Sequence, residues 1–547
     1  MKKLKIIIPM LMLIQLSISG QDIEKIYDLK SGTNFRIYPG SISQTEVFIV
    51  KHPFNDDILF ASANTWNTTI FFISEGVYVS TNGGINWQGS DTCKGEPINF
   101  HGGDPGIIID KNGRFILTRL SALISGGLYS HYSDDLGQTW SFQKAISAGE
   151  QLERATIDSD VNPSSSFYGR TYAVWVRWAN PFPIVCSYTD DGAVNWSQPM
   201  PINNPSQRGA GGEIKIGPNN VLYVCWAGII STSPFTEDFV GFASSTNGGA
   251  SWNIQENAFD INGINGQMTS KGNIRVNGLP RMAIDLSGGP RHGWIYIITT
   301  QRNLSPAGTD PDVILNRSTD GGVTWSQRIR VNQDPLNNGA IQYFPAIHVD
   351  EYGGVNVIFY DDRNTTSDST GVFLARSDDG GNNWREFEIS DHNFKPVPLA
   401  GLSQGYQGDN IDITSANDKL WPVWMDNSTG TYQIWTVPIE ISSVGVDESG
   451  LQTPSVFELK QNYPNPFNPT SNIEFQISEF GFVSLKIYDI LGNEIATLVN
   501  EELEAGQHNI KFTARELNSN HPLNSGIYFY RIFYNGRTET KSMVLLK

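Results

Sequence analysis

The sequence predicts an all-β chain: a ring of seven four-stranded blades, with six as the alternative count, followed by a small antiparallel sandwich. Three observations carry that expectation. An eight-residue turn closed by tryptophan recurs six times, as STNGGINW, SDDLGQTW, TDDGAVNW, STNGGASW, STDGGVTW and SDDGGNNW. A strand–turn–strand pattern with period-two alternation recurs seven times among those turns. Near residue 441 both patterns stop, and strands of another spacing fill the remainder.

The closing tryptophans are Trp87, Trp140, Trp196, Trp252, Trp325 and Trp384, spaced 53 to 73 residues apart. That is the length of one four-stranded blade with its loops, and such periods mark propellers and other repeat arrays. Asn82, Asp135, Asp191, Asn247, Asp320 and Asp379 are expected to fold each turn by accepting backbone N–H bonds two residues on. The glycines supply positive φ. The indole is large enough to wedge between neighbouring sheets.

These turns resemble Asp boxes, S-x-D-x-G-x-x-W, found in sialidases and in other repeat propellers. The resemblance implies a structural role for them. In an antiparallel blade the turn joining strands three and four lies on the face opposite the loops that lead into strand one.

Taken in order, the chain opens with MKKLK, an apolar run and the small residues SISGQ. This reads as a secretory leader over 1–20, too short to span a bilayer, and no later stretch is apolar enough to do so. The formal net charge is −18, and loss of Lys2, Lys3 and Lys5 with the leader makes it about −21. Such a surface repels a phosphate backbone, so nucleic acid is excluded as a partner. Cys93, Cys186 and Cys225 are too few and too irregular for a disulfide framework, and Cys186 and Cys225, in strand-like runs, read as small buried residues. No cofactor is expected and no metal ligands are assigned; scattered Asp and Asn could hold Ca²⁺, although no loop matches a known ligand spacing.

The propeller is expected over 21–441. Its hairpins fall at 46–62, 106–119, 155–176, 213–226, 282–299, 346–360 and 411–424. Seven hairpins against six boxes leave a last blade without a box, whose outer strand is expected from residues 34–38, closing the ring and removing exposed sheet edges. Residues 442–455 are polar, small and aperiodic, a linker by composition. From 456 to 547, strands separated by Pro/Asn turns read as a sandwich of roughly 90 residues. YPNPFNP, KIYDILGNE, SGIYFYRI and KSMVLLK resemble the C-terminal sorting domain of proteins exported through the type IX secretion system, an immunoglobulin-like fold. That resemblance implies a two-membrane bacterium, the secretion machinery as a partner, and a secreted or outer-surface location.

In a propeller the first strand of each blade lines the axis, and ligands bind at the face of the loops leading into it. Aligned inner strands place Glu46, Asp104, Glu153, Arg154, Glu213, Arg281, Tyr343 and Asp409 there, with Trp66 and Trp226 near enough to stack on sugars. Resemblance to sialidases implies three arginines on a substrate carboxylate, a tyrosine nucleophile with a glutamate beside it, and an aspartic acid as acid/base. NFRIYPG is similar to the F-R-I-P motif of the first arginine, with Tyr38 inserted, which makes Arg36 its counterpart. Arg154 and Arg281 would supply the others, Tyr343 with Glu213 the nucleophile pair, and Asp104 the acid/base. The same charges could instead pair with one another across the axis. Two functions follow: a sialidase-like glycoside hydrolase on extracellular glycans, or a non-catalytic propeller binding carbohydrate or protein at the cell surface. Hydrolysis of neutral glucans is disfavoured, because such enzymes span a longer cleft than one propeller offers.

Overall fold

A computed structural model describes residues 31–67, 72–93, 101–121, 126–366, 368–402, 404–444, 458–477, 481–489, 493–503, 506–514, 523–534 and 537–547. The expected leader lies outside them. The chain divides into two compact units, Met1–Gly445 and Val446–Lys547.

The first unit is a seven-bladed propeller. Six blades are consecutive four-stranded antiparallel meanders covering 43–90, 106–148, 156–201, 209–260, 281–330 and 342–388. The seventh contributes Asp412–Ala416, Lys419–Asp426 and Gln433–Thr436, and takes its outer strand from Phe35–Arg36, with Phe35 opposite Thr436 and Arg36 opposite Trp435. The ring therefore closes through the N-terminal segment, as the surplus hairpin requires. Second strands such as Thr171–Val176 (TYAVWV) are buried at every position. Neighbouring blades cover both faces of such a strand, so its sequence reads as a continuous apolar run.

Seven apolar clusters hold the ring, one at each blade junction. Each of the six closing tryptophans packs into the junction with the blade before its own: Trp87 at seven–one, Trp140 at one–two, Trp196 at two–three, Trp252 at three–four, Trp325 at four–five and Trp384 at five–six. Trp140 is buried and the other five are half-buried. The junction between blades six and seven has no such tryptophan. It is filled instead by Tyr343, Phe344, Tyr360, Phe394, Trp424 and Tyr432.

The turns themselves differ from expectation in one respect. The Asp or Asn side chain accepts the N–H four residues on rather than two, as in Thr139 to Asp135 (2.8 Å) and Thr324 to Asp320 (2.9 Å). The hydroxyl two residues before it does the nearer work. Ser133 Oγ accepts the Gly137 N–H (2.9 Å) and donates to Asp135 (2.8 Å), and the other five turns repeat this pair of bonds. Gly84, at φ +86°, shows why glycine is required: a Cβ there would lie 2.5 Å from the Trp421 ring of blade seven.

Between blades four and five the chain makes an extra hairpin, Gly266–Met268 with Ile274–Val276. After blade seven, Ile441–Val444 forms one helical turn, and Val444 packs into the six–seven junction. The second unit is a two-sheet β-structure. Glu458–Leu459, Thr470–Ile477 and Gly506–Thr513 make one sheet, and Glu494–Leu503, Gly481–Tyr488, Gly526–Tyr534 and Arg537–Leu545 the other. Alternate residues such as Ile473, Phe475, Val483, Leu485, Tyr530 and Ile532 form its core.

Candidate functional site

A cleft of about 880 Å³ opens at the propeller face formed by the loops leading into the inner strands. None of the tryptophan-closed turns lines it. Its walls come from blades one to four, the extra hairpin, and the long connection between blades six and seven.

Glu46 and Asp104 project into it from unusual backbone. Both are non-glycine residues at positive φ, +54° and +57°. Glu46 occupies a β-bulge where register slips between Thr45 and Phe48, which turns its side chain out of the sheet pattern. Asp104 follows two glycines, its N–H donating to Asn64 Oδ1 (2.6 Å). Asn64 Nδ2 donates to the Tyr406 hydroxyl (3.0 Å) and reaches Asp104 Oδ1 (3.4 Å). The Tyr406 hydroxyl also meets Thr45 Oγ1 (3.2 Å) and lies beside the Glu46 carboxyl, which accepts from Asn410 Nδ2 (3.3 Å). Asn64 thus ties the Asp104 carboxyl to the Tyr406 phenol, with the Glu46 carboxyl beside them.

Burial, then the charges of Asp104 and Asp409, push Glu46 up to about 8. Burial also raises Asp104, with Arg154 opposing the rise. The Tyr406 hydroxyl is held well above its usual range by burial and by the two carboxyls.

Three guanidiniums line the same cleft. Arg275 pairs with Asp409 through Nε (3.3 Å) and NH2, and lies over the Tyr406 ring (5.2 Å). Arg208 lies over the Phe235 ring (5.2 Å). Arg154 sits over Phe48 (4.6 Å) and makes no hydrogen bond or ion pair among the described residues. Burial and the nearby Arg281 guanidinium lower its pKa from the ordinary range. A half-buried guanidinium without a partner is a ready receptor for a carboxylate or sulfate, which its planar fork fits.

Of the residues expected from sequence, Glu46, Asp104, Glu153, Arg154, Trp66 and Asp409 line the cleft. The other five are placed elsewhere, each for a physical reason. Arg36 lies on the outermost strand of blade seven, over Trp435 (5.9 Å), because the closing strand is the one farthest from the axis. Tyr343 is fully buried in the six–seven junction against Phe344 and Tyr360, and burial raises its hydroxyl well above the usual range. Trp226 is likewise sealed in the three–four junction. Glu213 pairs with Arg281 (2.9 Å), which also approaches Asp412 (3.6 Å) and donates to Asn410 (3.2 Å). Arg281 and Glu213 therefore realise the cross-axis pairing, and the Tyr343–Glu213 couple does not form.

Sequence reasoning missed Tyr406, Arg275, Arg208 and Asn64. Arg275 had a signal: it falls in the longest interval between closing tryptophans, from Trp252 to Trp325, where the surplus length is the extra hairpin. Tyr406 lies three residues before Asp409 in an aperiodic connection that no pattern singles out. Among the described residues no group of three or more acidic, histidine or cysteine side chains gathers as a metal site. Nor is any helix among them long and apolar enough to cross a membrane.

Fold and cleft together define a β-propeller with a charged cleft at one mouth. Residues 461–546 match the secretion system C-terminal sorting domain family. The C-terminal module is thus a type IX sorting domain, and the chain is exported to the cell surface or the extracellular space. No curated protein sequence matches the chain. Among solved structures, a protein of unknown function from Dyadobacter fermentans is 13% identical, with 76% of this chain and 99% of that one covered and a TM-score of 0.45. A PL25 ulvan lyase bound to -[GlcA(1-4)Rha3S]- is 11% identical, with 75% and 96% covered and a TM-score of 0.47. The leech intramolecular trans-sialidase is 10% identical, with 65% and 70% covered and a TM-score of 0.42.

Proposed function

We propose that the propeller is an extracellular glycosidase for carboxylated sugars, with Tyr406 as nucleophile, Glu46 as its proton acceptor, Asp104 as acid/base and Arg154 as the carboxylate anchor. The observation that supports this reading is the Tyr406–Asn64–Asp104 network, with the Glu46 carboxyl beside it and a guanidinium unpaired among the described residues, in one cleft. A phenol suits an anionic sugar, because a carboxylate attacker would be repelled by the substrate's own charge. As Tyr406 attacks the anomeric carbon its proton passes to Glu46, while the Asn64 amide donates to the developing phenolate. Asp104 gives its proton to the leaving oxygen and recovers one from water when the tyrosyl–sugar bond is hydrolysed, while the departing phenolate takes back its proton from Glu46.

The purified chain is tested on 4-methylumbelliferyl sialoside and glucuronide, and a fluorinated sugar is used to trap the intermediate. The reading requires turnover of one glycoside and a sugar adduct on Tyr406. Its absence with intact turnover removes Tyr406 from the mechanism, and no turnover of either removes the enzyme.

One observation favours binding without turnover: of the three arginines expected to clamp a carboxylate, only Arg154 reaches the cleft. A carboxylated glycan bound tightly and left uncleaved is the outcome that selects this second reading.

A further inference from the structure

The cleft is larger than one sugar needs. The extra hairpin forms one wall. Arg275 donates its N–H to Gly405 O (2.8 Å), and Lys271 reaches across to Asp362 and to Ser369 O (2.9 Å), tying the hairpin to the connection before blade seven and to blade six. The rim also carries the loops joining the second and third strands of blades three and four, and Asn265 at the base of the hairpin donates to Pro234 O (3.1 Å) and Phe235 O (2.8 Å) of the latter. Each loop presents a large aromatic ring to solvent at the rim: Trp178, 58% exposed, and Phe235, 41% exposed. Neither is covered by its own loop. Arg208 lies over the Phe235 ring, and its guanidinium makes no hydrogen bond or ion pair among the described residues, leaving its N–H edges unused.

The acids nearest these rings point inward. Glu153 accepts the Gly211 N–H (3.0 Å), and Glu237 accepts those of Gly278 (3.1 Å) and Asn265 (3.3 Å). Their carboxylates are engaged by backbone, so neither neutralises Arg208 by direct pairing. Aromatic faces suit the apolar faces of sugar rings, and an unpaired fork suits an acidic substituent.

We propose that Trp178, Phe235 and Arg208 form a second sugar subsite, outside the Arg154 pocket, that takes the next residue of a polyanionic glycan and holds its carboxylate at Arg208. The substrate class is accordingly a chain with charge on consecutive sugars, not a neutral chain with one acidic cap. This rests on the reading of the Arg154 pocket given above, but concerns a different set of side chains.

The experiment uses the full chain carrying Tyr406→Phe, so that ligands stay uncleaved, and measures affinity by calorimetry. Probes are monomer, dimer and tetramer of α2,8-linked sialic acid, and the matching galacturonate series to separate the two sources of carboxylate. In whichever series binds, the dimer is expected to bind roughly tenfold more tightly than the monomer, the scale of one charge-assisted contact. Arg208→Ala or Trp178→Ala should each abolish most of that gain and leave monomer affinity unchanged. Both side chains are exposed, so neither change threatens folding. A chain-length gain that survives both substitutions overturns the subsite, as does monomer binding with no gain. Loss of all binding, monomer included, overturns the Arg154 pocket and the subsite together.

Discussion

Glu46 gives the sharpest test, because its displacement from 4.5 to about 8 links stability to acidity. Below pH 4.5 the carboxyl is protonated in both folded and unfolded chains and contributes nothing to the pH dependence. Between 4.5 and 8 the unfolded chain releases this proton while the folded one keeps it. The unfolding free energy therefore falls by about 1.4 kcal/mol per pH unit, roughly 5 kcal/mol across the window, and levels off above it. Glu46→Gln removes the titration. All 14 tryptophans lie in the propeller, so indole fluorescence reports that unit alone. Urea unfolding at pH 5 and pH 8.5 should show the wild type losing several kcal/mol more than the variant, with the variant the more stable protein at pH 8.5. Parallel profiles refute the argument, because they mean that Glu46 ionises freely in the folded chain. The same titration bounds activity. Glu46 can take the Tyr406 proton only when ionised, so kcat/KM should rise as pH rises toward about 8.

Other expectations follow from the same contacts. Trp140→Ala should cost about 3–5 kcal/mol in urea unfolding, because the ring is buried against Phe60 at 5.8 Å; Ile85→Ala, at an exposed position of the first turn, should change stability by less than about 0.5 kcal/mol. Arg154→Met should weaken binding of a carboxylated sugar at least about tenfold while leaving the unfolding midpoint unchanged or raised, since the guanidinium gives up no ion pair. A chain ending at Gly445 should fold by indole fluorescence yet remain inside the cell, as shown by fractionation, because it lacks the sorting module.

The ring was legible because its determinants are local. Each tryptophan-closed turn carries its own hydrogen bonds within eight residues, and each indole fills a junction of fixed geometry, so repetition along the chain becomes repetition around an axis. Closure by residues 35 and 36 followed from arithmetic, seven hairpins having only six boxes. The cleft was legible only in part, since spacing places a residue on an inner strand but does not say which way a bulge turns it. Glu46 faces the cleft because register slips beside it, whereas Tyr343, beside a similar slip before Ala346, is turned into the junction. Arg281 and Arg154 occupy comparable positions, yet Glu213 pairs with one and, among the described residues, no acid pairs with the other. Tyr406 and Arg275 lie in connections, where no periodicity reports direction.

The pairing of Phe35 with Thr436 joins the two extremities of the propeller sequence, with almost the whole domain between them. During synthesis the ring cannot seal until its last blade has emerged, and until then the strand at residues 35 and 36 has no blade to pair with. A nascent or truncated chain is therefore stickier than the finished protein in a way that no substitution in a single blade would reproduce. The ribosome makes the fastening strand first, and the molecule uses it last.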